Sequence, residues 1–202
     1  CSQAARNSKA ALITKPWAAR AFTACSPMAF SKAMAQWAEQ QLCARFERQF
    51  GYPLPLHVPT TLREKLFARM VHLHGHNSQR FGMLTDKLKV RRYVERCTGG
   101  THLTTIAWAG EDPEIAPLEA HSQGEWLAKT NHGCGGHRLI KQGDQTTLRH
   151  HLHRELQQNY YWLALEAQYY RIPPRIYIEK LVQGTQPITP MNYRLWCFQG
   201  HT

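Results

Sequence analysis

The chain has 202 residues, 43% of them hydrophobic, and carries a formal net charge of +11, enough to bury one sizeable core or two small ones. No apolar run is long enough to span a bilayer, and the six cysteines form no C-x-x-C pair, which suits free thiols in a reducing cytosol better than a disulfide framework or a zinc knuckle. The basic residues are spread along the chain without an arginine-rich run, so the charge suits a nucleotide, an acidic substrate, a nucleic acid or an anionic membrane face without choosing among them.

Residues 1–27 are rich in alanine, serine and basic residues, and no acid precedes Glu39. A transit peptide and a disordered basic tail share that bias. From Phe30 to Phe50 the pattern turns helical, with Met34, Trp37, Leu42 and Phe46 as the apolar positions and Gly51 and Pro53 as the stop. A second helix is predicted over 59–74, opened by a capping box of Thr61 and Glu64, with Leu62, Leu66, Phe67, Met70 and Val71 facing inward. A third runs over 85–97, capped by Thr85 or Asp86 and ended by Gly99 and Gly100. Its buried stripe is read as Val90, Tyr93, Val94 and Cys97. Lys87 lies in the first turn of that helix, where a cation opposes the helix dipole, and this suggests that it faces an anion.

Residues 101–108 read as a strand, 111–124 as a loop, and 137–140 as a strand returning from a glycine turn. Leu148, Leu152 and Leu156 mark a helix ending near Asn159, and the aromatic run 160–170 is expected to pack inside. Proline-bounded 173–182 and then 191–200 are further strands, so helices mix with hairpin-connected strands and the fold class is α+β. The triplets His72/His74/His76 and His150/His151/His153 have i, i+2 spacing, whereas zinc ligands on one helix face sit at i, i+4. They read as solvated or capping histidines, and no metal site is assigned.

The stretch that gathers the chain is EWLAKTNHGCGG, residues 125–136. An apolar strand ends in Lys129, and Gly133, Gly135 and Gly136 free the following backbone to adopt positive φ. A fixed cation beside bare N–H groups makes a concavity for an anion, most often phosphate. A plain hairpin with a solvated lysine flank explains the same residues.

Three blocks stand in fixed order: TDKLKVRRYV, EWLAKTNHGCGGHRLI, and PPRIYIEKLV leading to NYRLWCFQG. Together they resemble the TupA-like branch of the ATP-grasp family, associated with teichuronopeptide and other cell-surface polymer synthesis, over about residues 59–202. The resemblance implies two small α+β lobes with antiparallel sheets that grip ATP between them. The smaller lobe would span 59–116 and the ATP-binding lobe 117–202, with 1–58 outside the match. Lys87 and Lys129 match the two phosphate lysines, and Asn131, His132, Gly133, Cys134, Gly135 and Gly136 match the flexible loop. Glu179, Lys180 and Leu181 match the strand along adenine, with Glu179 accepting from the exocyclic amine. Cys134 stands where the branch usually has serine, Asn192 where it has aspartate, and Arg194 where it has lysine.

The implied activity is carboxylate–amine ligation with ATP and magnesium on an acidic small molecule or polymer, in the cytoplasm, with no specific nucleic acid. Catalytic residues are not identified. Magnesium needs hard oxygen ligands, and residues 180–202 contain no Asp or Glu. Together with Cys1 in place of a start methionine, that leads to the expectation of a fragment whose C-terminal lobe is incomplete. A glycosyltransferase of surface polysaccharide synthesis and a basic nucleic-acid-binding module are the alternatives. The chain has no D-x-D motif for the first, and the second requires steep salt dependence.

Overall fold

The structure is a computed structural model and describes residues 30–75 and 79–182. The predicted tail over 1–27 and the predicted strand over 191–200, with Asn192 and Arg194, lie outside the described residues. The fold is mixed α+β, with six helices and one four-stranded antiparallel sheet among the described residues.

Helix α1 (Lys32–Phe50) opens where the Ser31 hydroxyl accepts from Met34 N at 3.1 Å. It closes at Gly51, whose φ of 81° lets its N–H reach Glu47 O at 2.7 Å. The buried line is Ala38, Leu42 and Phe46, at i, i+4 spacing. Trp37, expected inside, is instead 42% exposed and packs at 6.1 Å on Trp162, because a residue one step from Ala38 turns about 100° off that line.

Helix α2 (Leu62–Gly75) opens with the predicted capping box: Thr61 N donates to Glu64 Oε2 at 2.9 Å and Glu64 N to Thr61 Oγ1 at 3.4 Å. Its fully buried residues are Glu64, Leu73 and His74; the predicted Phe67, Met70 and Val71 pack against the helical core, while the predicted Leu62 and Leu66 are exposed. α1 and α2 pack on each other, and Leu42, Tyr161 and Leu165 form a helical core flanked by Phe67 and Met70.

Helix α3 (Gln79–Thr85) was not foreseen, and α4 (Lys89–Thr98) ends as expected at Gly99, with φ 67°. α4 buries no residue; Tyr93 and Cys97, expected in its stripe, are exposed. Val90 and Val94 of that stripe are half-buried, so the face is covered only in part.

Strands β1 (Ile106–Gly110), β2 (Gln123–Thr130), β3 (Arg138–Lys141) and β4 (Ile176–Lys180) form the sheet in the order β1-β4-β2-β3. β2 and β3 are the predicted hairpin, and β4 inserts between β1 and β2 after helices α5 (Gln145–Gln157) and α6 (Tyr160–Ala164). β1, in the segment assigned to the smaller lobe, therefore shares a sheet with β2–β4.

The sheet's two faces divide its chemistry. Ala128, Ile140, Ile176 and Ile178 pack with Leu148 and Leu152 of α5, and each buried Leu or Ile contributes on the order of 1.5–3 kcal/mol. Strand alternation sends Leu127, Lys129, Tyr177 and Glu179 to the opposite face.

Candidate functional site

Lys129 and Glu179 meet on that second face. Their cross-strand partners are Tyr177 and Leu127, one pleat apart, which makes them diagonal neighbours on one face. The Lys129 ammonium pairs with Glu179 Oε1. Glu179 Oε2 accepts from Thr104 Oγ1 at 3.0 Å, and Arg91 of α4 holds both the hydroxyl and the carbonyl of Thr104. A chain of charge-assisted bonds thus runs from α4 to β2. Thr104 and Arg91 escaped the sequence reading because only the packing of α4 against the start of β1 brings them there.

Lys87 reaches the same place from the α3–α4 junction. Its backbone N–H donates to Asn131 O at 3.2 Å, and its ammonium donates to Gly133 O and to Asn131 O, the latter at 3.4 Å. Burial lowers the Lys87 pKa, and the nearby Lys129 charge acts the same way. The two lysines line one cleft with Thr130, Gly133, Gly135 and Gly136.

Asn131 and His132 lie beneath the loop with their polar atoms turned into the protein. Asn131, 1% exposed, donates to Asp86 Oδ1 and Pro173 O, both at 3.0 Å, and accepts from Arg175 N at 2.8 Å. Asp86 Oδ1 also accepts from Leu88 N at 3.0 Å and Lys89 N at 3.2 Å, the capping role foreseen for it. His132 Nε2 faces the carbonyls of Glu155 and Gln158 at 3.2 and 3.0 Å, joining the loop to the end of α5. Burial lowers its pKa more than those two carbonyls raise it.

The glycine loop requires its glycines for separate reasons. Gly135 has φ 83°, and a Cβ on Gly133 would come within 2.9 Å of Thr130 Oγ1. A Cβ on Gly136 would collide with the Glu155 carboxylate. Cys134 is an exposed free thiol that lines a cavity with Tyr160. His151 Nε2 contacts Gly136 O at 2.9 Å. Neither Glu155 nor His151 carried a local sequence signal for this placement; His151, expected solvated, is buried, as is His74, because both face inward from their helices.

Lys180 and Leu181 stand at the end of β4. The Lys180 side chain is exposed and lies 3.9 Å from Glu125. The backbone N–H groups of Lys180 and Leu181 are already committed to Thr105 O at 2.9 Å and Glu125 O at 2.7 Å. Neither amide is open to a ring edge in this conformation.

The site thus gathers two lysines and a glycine loop beside β4, whose penultimate residue is Glu179. That defines an α+β protein with a lysine-lined cleft on one face of an antiparallel sheet. The chain belongs to the TupA-like ATP-grasp family, whose model matches residues 64–202 and so takes in the whole cleft. ATP-grasp families are ligase-type, bind nucleotide and generally use ATP with magnesium. No curated protein and no solved structure matches the chain. No described helix is long and apolar enough to cross a membrane.

Proposed function

We propose that the chain binds ATP in the Lys87–Lys129 cleft as part of a carboxylate–amine ligase of cell-surface polymer synthesis. The observation that carries the reading is the convergence of two lysines, 42 positions apart in the sequence, on one side of the glycine loop. The residues fit the ligand: two ammonium groups offset a polyphosphate, and a loop with little side-chain cover offers amides to its oxygens. Lys87, Lys129 and residues 133–136 would hold the phosphates, with Glu179 toward the adenine amine. When bound, ATP supplies the phosphoryl group that activates a carboxylate for attack by an amine. In this reading Asn131, His132 and Asp86 set the loop's base rather than touch the nucleotide.

Binding requires an exchange. Lys129 is held by Glu179 and Lys87 by loop carbonyls, so the phosphates must draw both ammonium groups away. Among the described residues no group of three or more His, Cys, Asp or Glu could hold a metal ion, and no magnesium ligand is assigned. The division into lobes at 59–116 and 117–202 belongs to the proposal, although β1 ties the segments together through β4 and the helical cluster joins Phe67 and Met70 with Tyr161 and Leu165. The net charge of +11 supports an acidic substrate, and the reaction is taken to be cytoplasmic, where ATP is supplied.

Calorimetry of the 202-residue chain with ATP tests the reading. Lys129→Met should remove a charge-assisted contact of about 1.5–3 kcal/mol and weaken binding ten-fold or more. Unchanged affinity rejects the cleft. Oligonucleotide binding that is steep in salt, with indifference to ATP, would mark a nucleic-acid module instead.

A further inference from the structure

Glu179 is tied from two sides, and a phosphate ligand in the lysine cleft releases only one of them. Oε1 pairs with the Lys129 ammonium, and Oε2 accepts from Thr104 Oγ1 at 3.0 Å. Phosphates that draw Lys129 away take the first partner with it. Glu179 is buried, and a buried carboxylate keeps a fixed position only while hydrogen bonds hold it. Thr104 is the partner that stays.

The chain supports Thr104 in turn. It lies two residues before Ile106, the cross-strand partner of Glu179, so strand spacing sets its hydroxyl beside the carboxylate. Arg91, on α4, spends both terminal nitrogens on this one residue: Nη1 donates to Thr104 Oγ1 at 3.2 Å, and Nη2 donates to Thr104 O. A guanidinium donates and never accepts, so it occupies a lone pair of the hydroxyl and leaves the single Thr104 proton for Glu179. The direction of the whole chain of bonds is thereby set. With Oε2 fixed, Oε1 is presented as an acceptor to whatever replaces Lys129.

We propose that Arg91, acting through Thr104, is a positioning residue for base selection. It holds Glu179 in place once Lys129 has turned to the phosphates, so that Oε1 accepts from an exocyclic amine of the adenine type and repels a carbonyl of the guanine type. Two cations four positions apart then serve opposite ends of one ligand: Lys87 the phosphates, Arg91 the base. The proposal rests on the reading of the cleft as an ATP site.

The test is calorimetric titration of the full chain with ATP, GTP and inorganic triphosphate. Thr104→Val removes the hydroxyl, Thr104→Ser keeps it, and Arg91→Lys keeps the charge but loses the fork. Thr104→Val and Arg91→Lys should each narrow the ATP-to-GTP affinity ratio about five-fold, as the loss of one neutral hydrogen bond does, while Thr104→Ser retains it. Triphosphate, which has no base, should bind wild type and variants alike. In a Glu179→Ala background, Thr104→Val should change the ratio no further, because the two residues act as one unit. An unchanged ratio in Thr104→Val overturns the proposal, as does an equal loss in Thr104→Ser or a further loss on top of Glu179→Ala. A fall in triphosphate affinity parallel to that for ATP also overturns it, by showing a merely structural role. Wild type that binds no ATP removes the nucleotide reading and this inference with it; wild type that binds ATP, with the ratio unmoved in Thr104→Val, removes this inference alone.

Discussion

Glu179 does two jobs that nucleotide binding would set against each other. One oxygen neutralises Lys129 and the other is fixed by Thr104, so the carboxylate is held at the sheet surface before any ligand arrives. Only 11% of its side chain and 25% of that of Lys129 are exposed, which places the pair between a screened surface bridge and a buried one. If Glu179 accepts from the adenine amine, guanine, with a carbonyl at that position, meets repulsion instead. Glu179→Ala should then narrow the preference for ATP over GTP by about ten-fold, the equivalent of one charge-assisted hydrogen bond. Competition binding of the two nucleotides measures this, and equal discrimination by variant and wild type would sink the role.

At the scale of the element, the start of α2 depends on one carboxylate. Glu64 accepts from Thr61 N, the Tyr52 hydroxyl, Thr60 N and the Thr60 hydroxyl, and these bonds hold its pKa down to about 2 from an ordinary 4.5. A carboxyl with a depressed folded pKa stabilises the fold fully above its unfolded value and loses that contribution as pH falls through the folded one. The stabilisation from Glu64 should thus fade between about pH 4.5 and 2. Glu64→Gln should melt below wild type at pH 7, and the two melting curves should converge as pH approaches 2. A gap independent of pH would mean that packing, not charge, anchors the helix.

Taken whole, the molecule buries a histidine in each of its packed regions. His74 sits among Phe30 and Tyr161 in the helical core, with Nδ1 on Met70 O at 2.8 Å and Nε2 without a partner among the described residues. His132 lies under the glycine loop. Burial lowers both pKa values from 6.5, so each is neutral in the fold and protonates first in the unfolded chain. Stability should therefore be full above about pH 6.5 and decline below it, toward the lowered folded values. Denaturant unfolding from pH 7.5 to 5.5 reads the slope. His74→Phe should flatten it, since the ring keeps its aromatic neighbours and loses the proton; an unchanged slope would exclude His74 as a contributor.

The chain's local chemistry is written in its order of residues. Helix stops at Gly51 and Gly99, the capping box at Thr61 and Glu64, the Asp86 cap and the hairpin around 133–136 were all legible, because caps and turns are satisfied within a few residues. The family blocks were legible for a related reason: each is a short run with its own turn or strand chemistry. The helix faces were legible in part: Leu42, Phe46, Leu148 and Leu152 are buried as expected, while Trp37, Leu66 and Tyr93 are exposed, since periodicity defines a stripe but not the partner that covers it. The site's working geometry belongs wholly to the tertiary structure. Inserting β4 between β1 and β2 brings Glu179 to Lys129 from fifty positions away, and packing α5 on the loop sets Glu155 against Gly136. Such contacts depend on strand order and helix placement, which are settled by burying one face of the whole sheet and by no local signal.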